Sequence, residues 1–252
     1  MSRQFPFVVK SAQWRASDLL AGLSEDESLW TRLANSPLSP TIWHDTLSEY
    51  DAHQLYEYLK RRHFAASAEF ATFLERWIGD ERNHYAGFRF LSSHAFGYSE
   101  SDIDASVRGR SPDFSGIEPW ICDEFRLCVL LCYDECTTAR GYKLDVPAYD
   151  TLDRPSLSKW VRAVMRDEVY HFANLASLIR LKFSHRVGEI ERLLIDIANY
   201  QRSRPEYRAT FVLDQCSSTA LEVSREGAGY ALLRAVGAKG REPGEIHGER
   251  RV

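Results

Sequence analysis

The pattern Glu-x-x-His occurs twice in this chain, as Glu81-Arg82-Asn83-His84 and as Glu168-Val169-Tyr170-His171. Each copy has a glutamate at nearly the same distance upstream: Glu49 lies 32 residues before Glu81, and Glu135 lies 33 before Glu168. Residues three apart on a helix share a face, with Cβ atoms about 5–6 Å apart, so each pattern can offer two ligands to one cation. Four carboxylates and two imidazoles in this order are the ligand set of a dinuclear metal site inside a four-helix bundle. Four buried carboxylates without counter-ions would be strongly destabilising, and two divalent cations would neutralise them. Carboxylate and imidazole donors suit iron or manganese, whereas zinc recruits fewer carboxylates. Two iron ions are therefore expected, with manganese or a manganese/iron pair as the alternative.

These six residues come together only if long helices carry them. The first long helix is expected over 41–62 and the second over 67–94, joined by a short turn at 63–66. Phe70, Phe73, Leu74, Trp77 and Ile78 fall at helical spacing, and Glu81, His84 and Phe88 continue that face. A third helix is expected over 120–143 and a fourth over 156–183, with a loop carrying Pro147 and Pro155 between them. In an antiparallel hairpin, ligands at equal distance on either side of the turn sit at one level. Glu49 and Glu81 are each about 16 residues from the first turn, and Glu135 and Glu168 are likewise matched about the second. Glu57 is only about two turns from its loop and would sit at the wrong level.

The segment 97–119 is rich in Gly, Ser, Asp and Pro and reads as one long connection. A fifth helix over 187–201 and a sixth over 210–236 are expected to flank the bundle. The N-terminal part, 1–40, is expected to hold one or two short helices, one of them started by Ser24-Glu25-Asp26-Glu27 and a break falling at Ser36-Pro37-Leu38-Ser39-Pro40. The helical domain is thus placed at 41–236, and the polar, Gly-rich stretch 237–252 is expected to be a disordered tail.

The 252 residues are enough for one sizeable core. An apolar share of 44% with 27% charged residues is ordinary for a soluble globular chain. With a net charge of −4, nothing in the sequence suggests a nucleic-acid footprint, which would need a basic face. No stretch approaches a membrane span or a secretory leader, so a cytoplasmic location is expected. The cysteines are Cys122, Cys128, Cys132, Cys136 and Cys216, an odd count that argues for free thiols. Cys128, Cys132 and Cys136 recur every four residues and read as small apolar side chains of the third helix.

The sequence also suggests groups that hold the ligands from behind. Asp80 and Asp167 each precede a motif glutamate, where they could accept the free ring N–H of the histidine opposite: Asp80 from His171 and Asp167 from His84. The alternative is a solvated acid beside a buried one.

With these residues in place, the chain resembles the ferritin-like di-iron carboxylate superfamily over about 41–185, and within it looks most like soluble acyl-carrier-protein desaturases. The stretch RWIGDERNHYAGFRFL, with Trp77, Glu81 and His84, is similar to that family's second-ligand helix, with the middle pair Arg82-Asn83 inverted. MRDEVYHF, with Asp167, Glu168 and His171, looks like its fourth-ligand helix. DECTTAR places Thr138 three residues after Glu135, where the desaturases carry a threonine beside the dioxygen site. Asp134 replaces the usual glutamine before the third-helix glutamate. The resemblance implies an all-α, ferritin-like four-helix bundle with additional flanking helices. It implies two irons held by Glu49, Glu81, His84, Glu135, Glu168 and His171, with Thr138 as a catalytic residue that bonds a dioxygen-derived ligand or relays a proton.

Two functions follow as expectations. The first is an oxygen-dependent oxidase, a desaturase or hydroxylase, acting on an apolar or carrier-bound acyl substrate with an electron donor, and with a homodimer among its expected states. The second is a metal-handling protein, a ferroxidase or peroxide scavenger. Arg61-Arg62 and the run 180–186 are candidates for docking a carrier protein, against the plainer role of exposed helix charge.

Overall fold

The structure is a computed structural model that describes residues 7–203, 207–214 and 219–238, with the side chains of 219–226 outside the description. Most of the expected tail and Cys216 fall outside the described residues. Among the described residues the chain is all-helical, with no strand.

Two short helices come first: α1 (Ala16–Leu19) and α2 (Glu27–Ala34). Asp26 caps α2 by accepting the Leu29 N–H at 3.0 Å, which satisfies one of the orphan donors of the first turn. Four long helices follow: α3 (Ser39–Arg61), α4 (Ala68–Phe96), α6 (Glu124–Asp150) and α7 (Pro155–Lys182), with the short helix α5 (Glu100–Arg108) between the second and third. Helix α3 packs along α4, and α6 packs along α7. The short links 62–67 and 151–154 make each pair an antiparallel hairpin, and α4 lies against α7 to join the two. Helices α8 (Ile190–Ser203) and α9 (Thr219–Ala235) cover α6 from outside, while α1 and α2 pack on α4.

The apolar core is split in two. One cluster gathers Phe70, Phe73, Trp77, Phe125, Cys128, Leu131, Cys132, Leu175 and Ile179. The other gathers Leu29, Ile42, Phe88, Leu91, Tyr142, Tyr149, Trp160 and Val164. Between them, all four long helices turn polar at one level: Glu49 on α3, Asp80, Glu81 and His84 on α4, Asp134 and Glu135 on α6, and Asp167, Glu168 and His171 on α7, every one at most 7% exposed. A polar layer between two apolar clusters is destabilising by itself unless its charged groups are paired or neutralised.

Several boundaries differ from expectation. The connection 97–119 contains α5, started by Ser99, whose side chain accepts the Asp102 N–H at 3.1 Å. Ile103 and Val107, four apart, anchor its buried face. Helix α6 runs on to Asp150 with Pro147 inside it. The proline falls in the last turn, where few backbone bonds are at stake, and buried Tyr142 and Tyr149 carry the extra turns against Trp160 and Phe88. Residues 210–214, expected as the start of the sixth helix, are non-helical like 207–209 before them, with positive φ at Ala209, Phe211 and Leu213. No helix among the described residues is long and apolar enough to cross a membrane.

Candidate metal centre

The matched spacing about the two turns brings all six expected ligands to one place. Glu49, Glu81, His84 and Glu168 each present a donor atom within 4.8 Å of the others. Glu81, Glu135, Glu168 and His171 do the same. Glu81 and Glu168 belong to both groups, so the cluster offers two overlapping sets of donor atoms that share two carboxylates.

The two halves are built alike. His84 Nδ1 lies 3.3 Å from Glu49 Oε2, 3.5 Å from Glu81 Oε2 and 3.2 Å from Glu168 Oε1. His171 Nδ1 lies 3.2 Å from Glu81 Oε1, 3.1 Å from Glu135 Oε2 and 3.2 Å from Glu168 Oε2. On the far side of each ring sits an aspartate: Asp167 Oδ2 is 3.4 Å from His84 Nε2, and Asp80 Oδ2 is 3.4 Å from His171 Nε2. An acceptor there fixes the tautomer that leaves Nδ1 free to bind a metal.

Further groups hold these acids in turn. Tyr142 donates its hydroxyl to Glu49 Oε1. Trp77 Nε1 donates to Glu135 Oε1 at 2.8 Å. Arg76, one turn earlier on α4, pairs with Asp80 at 2.6 Å. Trp14 Nε1 donates to Asp167 Oδ2 at 2.6 Å, and the Trp14 ring stacks on His84 with centroids 5.9 Å apart. Trp14 belongs to an extended segment that crosses α4 and α7. Along it Lys10 N–H donates to Asn174 Oδ1 at 2.8 Å, Arg76 reaches the Ala12 carbonyl at 2.7 Å, and Ala16 N–H donates to Asn83 Oδ1 at 2.9 Å.

The electrostatics follow from this crowding. Burial, reinforced by the Glu49 charge, pushes Glu81 up to about 7. Burial, with Glu168 nearby, pushes Glu135 up to about 8. Burial works against the Glu49 carboxylate too, but the His84 charge beside it, with Glu81 and Tyr142, outweighs it and holds the group below its ordinary value. Burial opposes charging of His84 and His171, yet the surrounding carboxylates win and both are raised well above the usual imidazole range.

The donor set fits divalent cations. Glu49 Oε2, both oxygens of Glu81, Glu168 Oε1 and His84 Nδ1 are buried without a hydrogen-bond partner. Native interiors pair nearly all such atoms. A concentration of orphans on one cluster, close together but not in hydrogen-bonding geometry, is what first-row divalent metals with oxygen and imidazole ligands would satisfy.

The remaining expectations can be placed. Thr138 is half-buried on α6, three residues beyond Glu135, while its neighbour Thr137 is buried and donates to the Tyr133 carbonyl at 2.8 Å. Glu57 pairs with Lys60 at the surface, 3.4 Å away and apart from the cluster. Cys128 and Cys132 are fully buried and Cys122 is exposed; all are free thiols, as is half-buried Cys136. Of the basic candidates, Arg62 pairs with Glu118 at 2.5 Å, Lys182 with Glu69 at 2.7 Å, and Arg186 with Glu189 at 2.8 Å and Asp123 at 3.2 Å. Trp14, Tyr142 and Arg76 were not singled out by sequence reasoning, because each acts through one contact with a residue on another element or one turn away and leaves no periodic signal.

No protein-family model, curated protein or solved structure matches this chain.

Proposed function

We propose that the chain is a ferritin-like dinuclear metalloprotein that uses dioxygen to oxidise an apolar or carrier-bound organic substrate, by desaturation or hydroxylation. The observation that carries this reading is the pair of overlapping donor groups sharing Glu81 and Glu168. Two isolated acid–histidine sites would have no reason to share carboxylates. Glu49 and His84 would complete one position, and Glu135 and His171 the other. When bound, two iron ions supply a two-electron reductant for dioxygen and an oxidising centre for a C–H bond; an external electron donor must then re-reduce them.

The chain's own residues would serve that chemistry by enclosure and orientation. The ligands are at most 4% exposed, which excludes water and strengthens every charge interaction among them. Asp80 and Asp167 hold the imidazoles. Cys128, Leu131 and Cys132, fully buried in the apolar cluster on the Glu135 side, would present a surface suited to an apolar substrate portion. Thr138 would handle a proton there.

One observation favours a metal-handling role instead. Asp45 lies one turn before Glu49 on α3 and is only half-buried, whereas Glu49 is buried. Acids leading toward Glu49 would suit a path for incoming cations.

Ferrous-loaded protein exposed to dioxygen with long-chain acyl substrates and a reductant separates the readings. Oxygen uptake matched by an oxidised organic product supports the oxidase. Ferric iron accumulating without organic product supports metal handling. No uptake at all overturns both.

A further inference from the structure

Residues 207–214 adopt a backbone that ordinary side chains avoid. Ala209, Phe211 and Leu213 have φ of 57°, 69° and 65°, all in the left-handed region where a Cβ is strained. Three such residues alternating in one short stretch persist only if the surroundings over-determine them, and strain of this kind gathers at functional sites.

The restraints are present. Asp214, 5% exposed, accepts the backbone N–H of Arg208 at 2.8 Å and of Thr210 at 2.6 Å. Tyr207 donates to Asp51 on α3, and Arg110 grips the same carboxylate at 2.6 and 3.1 Å. Arg208 reaches Asp113 at 2.7 Å.

What the strain secures is a pair of contacts that converge on one metal ligand. Leu213 N–H donates to Asp134 Oδ1 at 2.8 Å, and Asp134 directly precedes Glu135. Phe211 sets its edge on Trp77, with centroids 5.3 Å apart at 75°, and Trp77 in turn donates to Glu135 at 2.8 Å. Phe211 and Leu213 are both buried. Of the six expected ligands, Glu135 is the one these contacts reach. The Glu49 side is held by Tyr142 and the His84 side by Trp14.

We propose that residues 207–214 form a clasp that positions Glu135 through Trp77 and Asp134, with Phe211 as its key positioning residue. Of the two cation positions, the one built by Glu81, Glu135, Glu168 and His171 then depends on Phe211, and the one built by Glu49, Glu81, His84 and Glu168 does not. This rests on the dinuclear reading of the site.

The test is an anaerobic cobalt(II) titration of the full chain, read by calorimetry and by the visible absorption of bound cobalt, on the parent, Phe211→Ala and Phe211→Tyr. The parent should bind two equivalents. Phe211→Ala should keep one at parental affinity and weaken the other about 10–100-fold, as loss of outer support does elsewhere. Phe211→Tyr, which keeps the aromatic edge, should restore it. If the alanine variant does not fold, Phe211→Leu carries the same test, since it fills much of the volume without an aromatic edge. Two equivalents of parental affinity in the folded variant, or equal weakening of both, would overturn the clasp while leaving the dinuclear site standing. Fewer than one equivalent in the parent would overturn the dinuclear reading and the clasp with it.

Discussion

Trp77 on α4 donates its indole N–H to Glu135 on α6 at 2.8 Å, both side chains buried. The mirror relationship is Tyr142 on α6 donating to Glu49 on α3. Each outer glutamate is therefore aimed by one aromatic donor from a neighbouring helix. Trp77→Phe removes the donor and keeps most of the volume. It should weaken metal binding about 10–100-fold at the Glu135 position. It should cost the fold only about 1–3 kcal/mol, the usual penalty for an unsatisfied buried acceptor. Metal titration and a melt of the same sample check both.

Trp14 does for Asp167 what Arg76 does for Asp80. Trp14→Phe keeps the ring against His84 but loses the donor to Asp167. Metal affinity should fall at the His84 position and stay unchanged at the His171 position, again by about 10–100-fold. A titration showing both positions unaltered would remove Trp14 from the account.

The shared carboxylates should differ from the unshared ones. Glu168→Ala removes a ligand from both groups and should abolish binding of both ions, whereas Glu135→Ala should leave one. Neither should destabilise the metal-free chain severely, because each removes one of several like charges crowded in a buried cluster. Metal analysis beside thermal melts of the apo proteins would show it; retention of two ions by Glu168→Ala would remove that residue from the ligand set.

Much of this site was legible in the chain itself. Helical ligands repeat at i and i+3, and hairpin geometry demands equal distances about each turn, so Glu49, Glu81, Glu135 and Glu168 could be matched by counting alone. The alternation of apolar runs with single polar positions also marked α4 correctly as a buried helix. Other features carried no such signal. Trp14 and Asp167 are 153 residues apart and meet through one hydrogen bond, which no local pattern announces. Pro147 concealed the last turns of α6, because a proline reads as a break unless tertiary packing outweighs it. The clasp at 207–214 was hidden for the opposite reason: its residues favour ordinary conformations, and only Asp214, Asp51 and Arg110 together hold them elsewhere.

Away from the site, the Arg154 guanidinium beside Asp26, with Ser28 and the Leu29 N–H, holds that carboxyl at about 2, below its ordinary 3.8. A folded value below the unfolded one means that stability is present above about 4 and is lost as pH falls through about 2. Asp26→Asn keeps the helix cap and loses the ion pair. The stability gap between parent and variant should therefore close as pH drops from 4 to 2. A gap that stays constant over that range would contradict the pairing. Denaturant melts at stepped pH measure it.

Metal content per chain, after anaerobic ferrous reconstitution and desalting, tests the central claim most directly. Two overlapping donor groups sharing Glu81 and Glu168 predict about two irons per chain, as for dinuclear carboxylate bundles generally. A content far below one iron per chain would contradict a working di-iron site, and with it the oxidase proposed here.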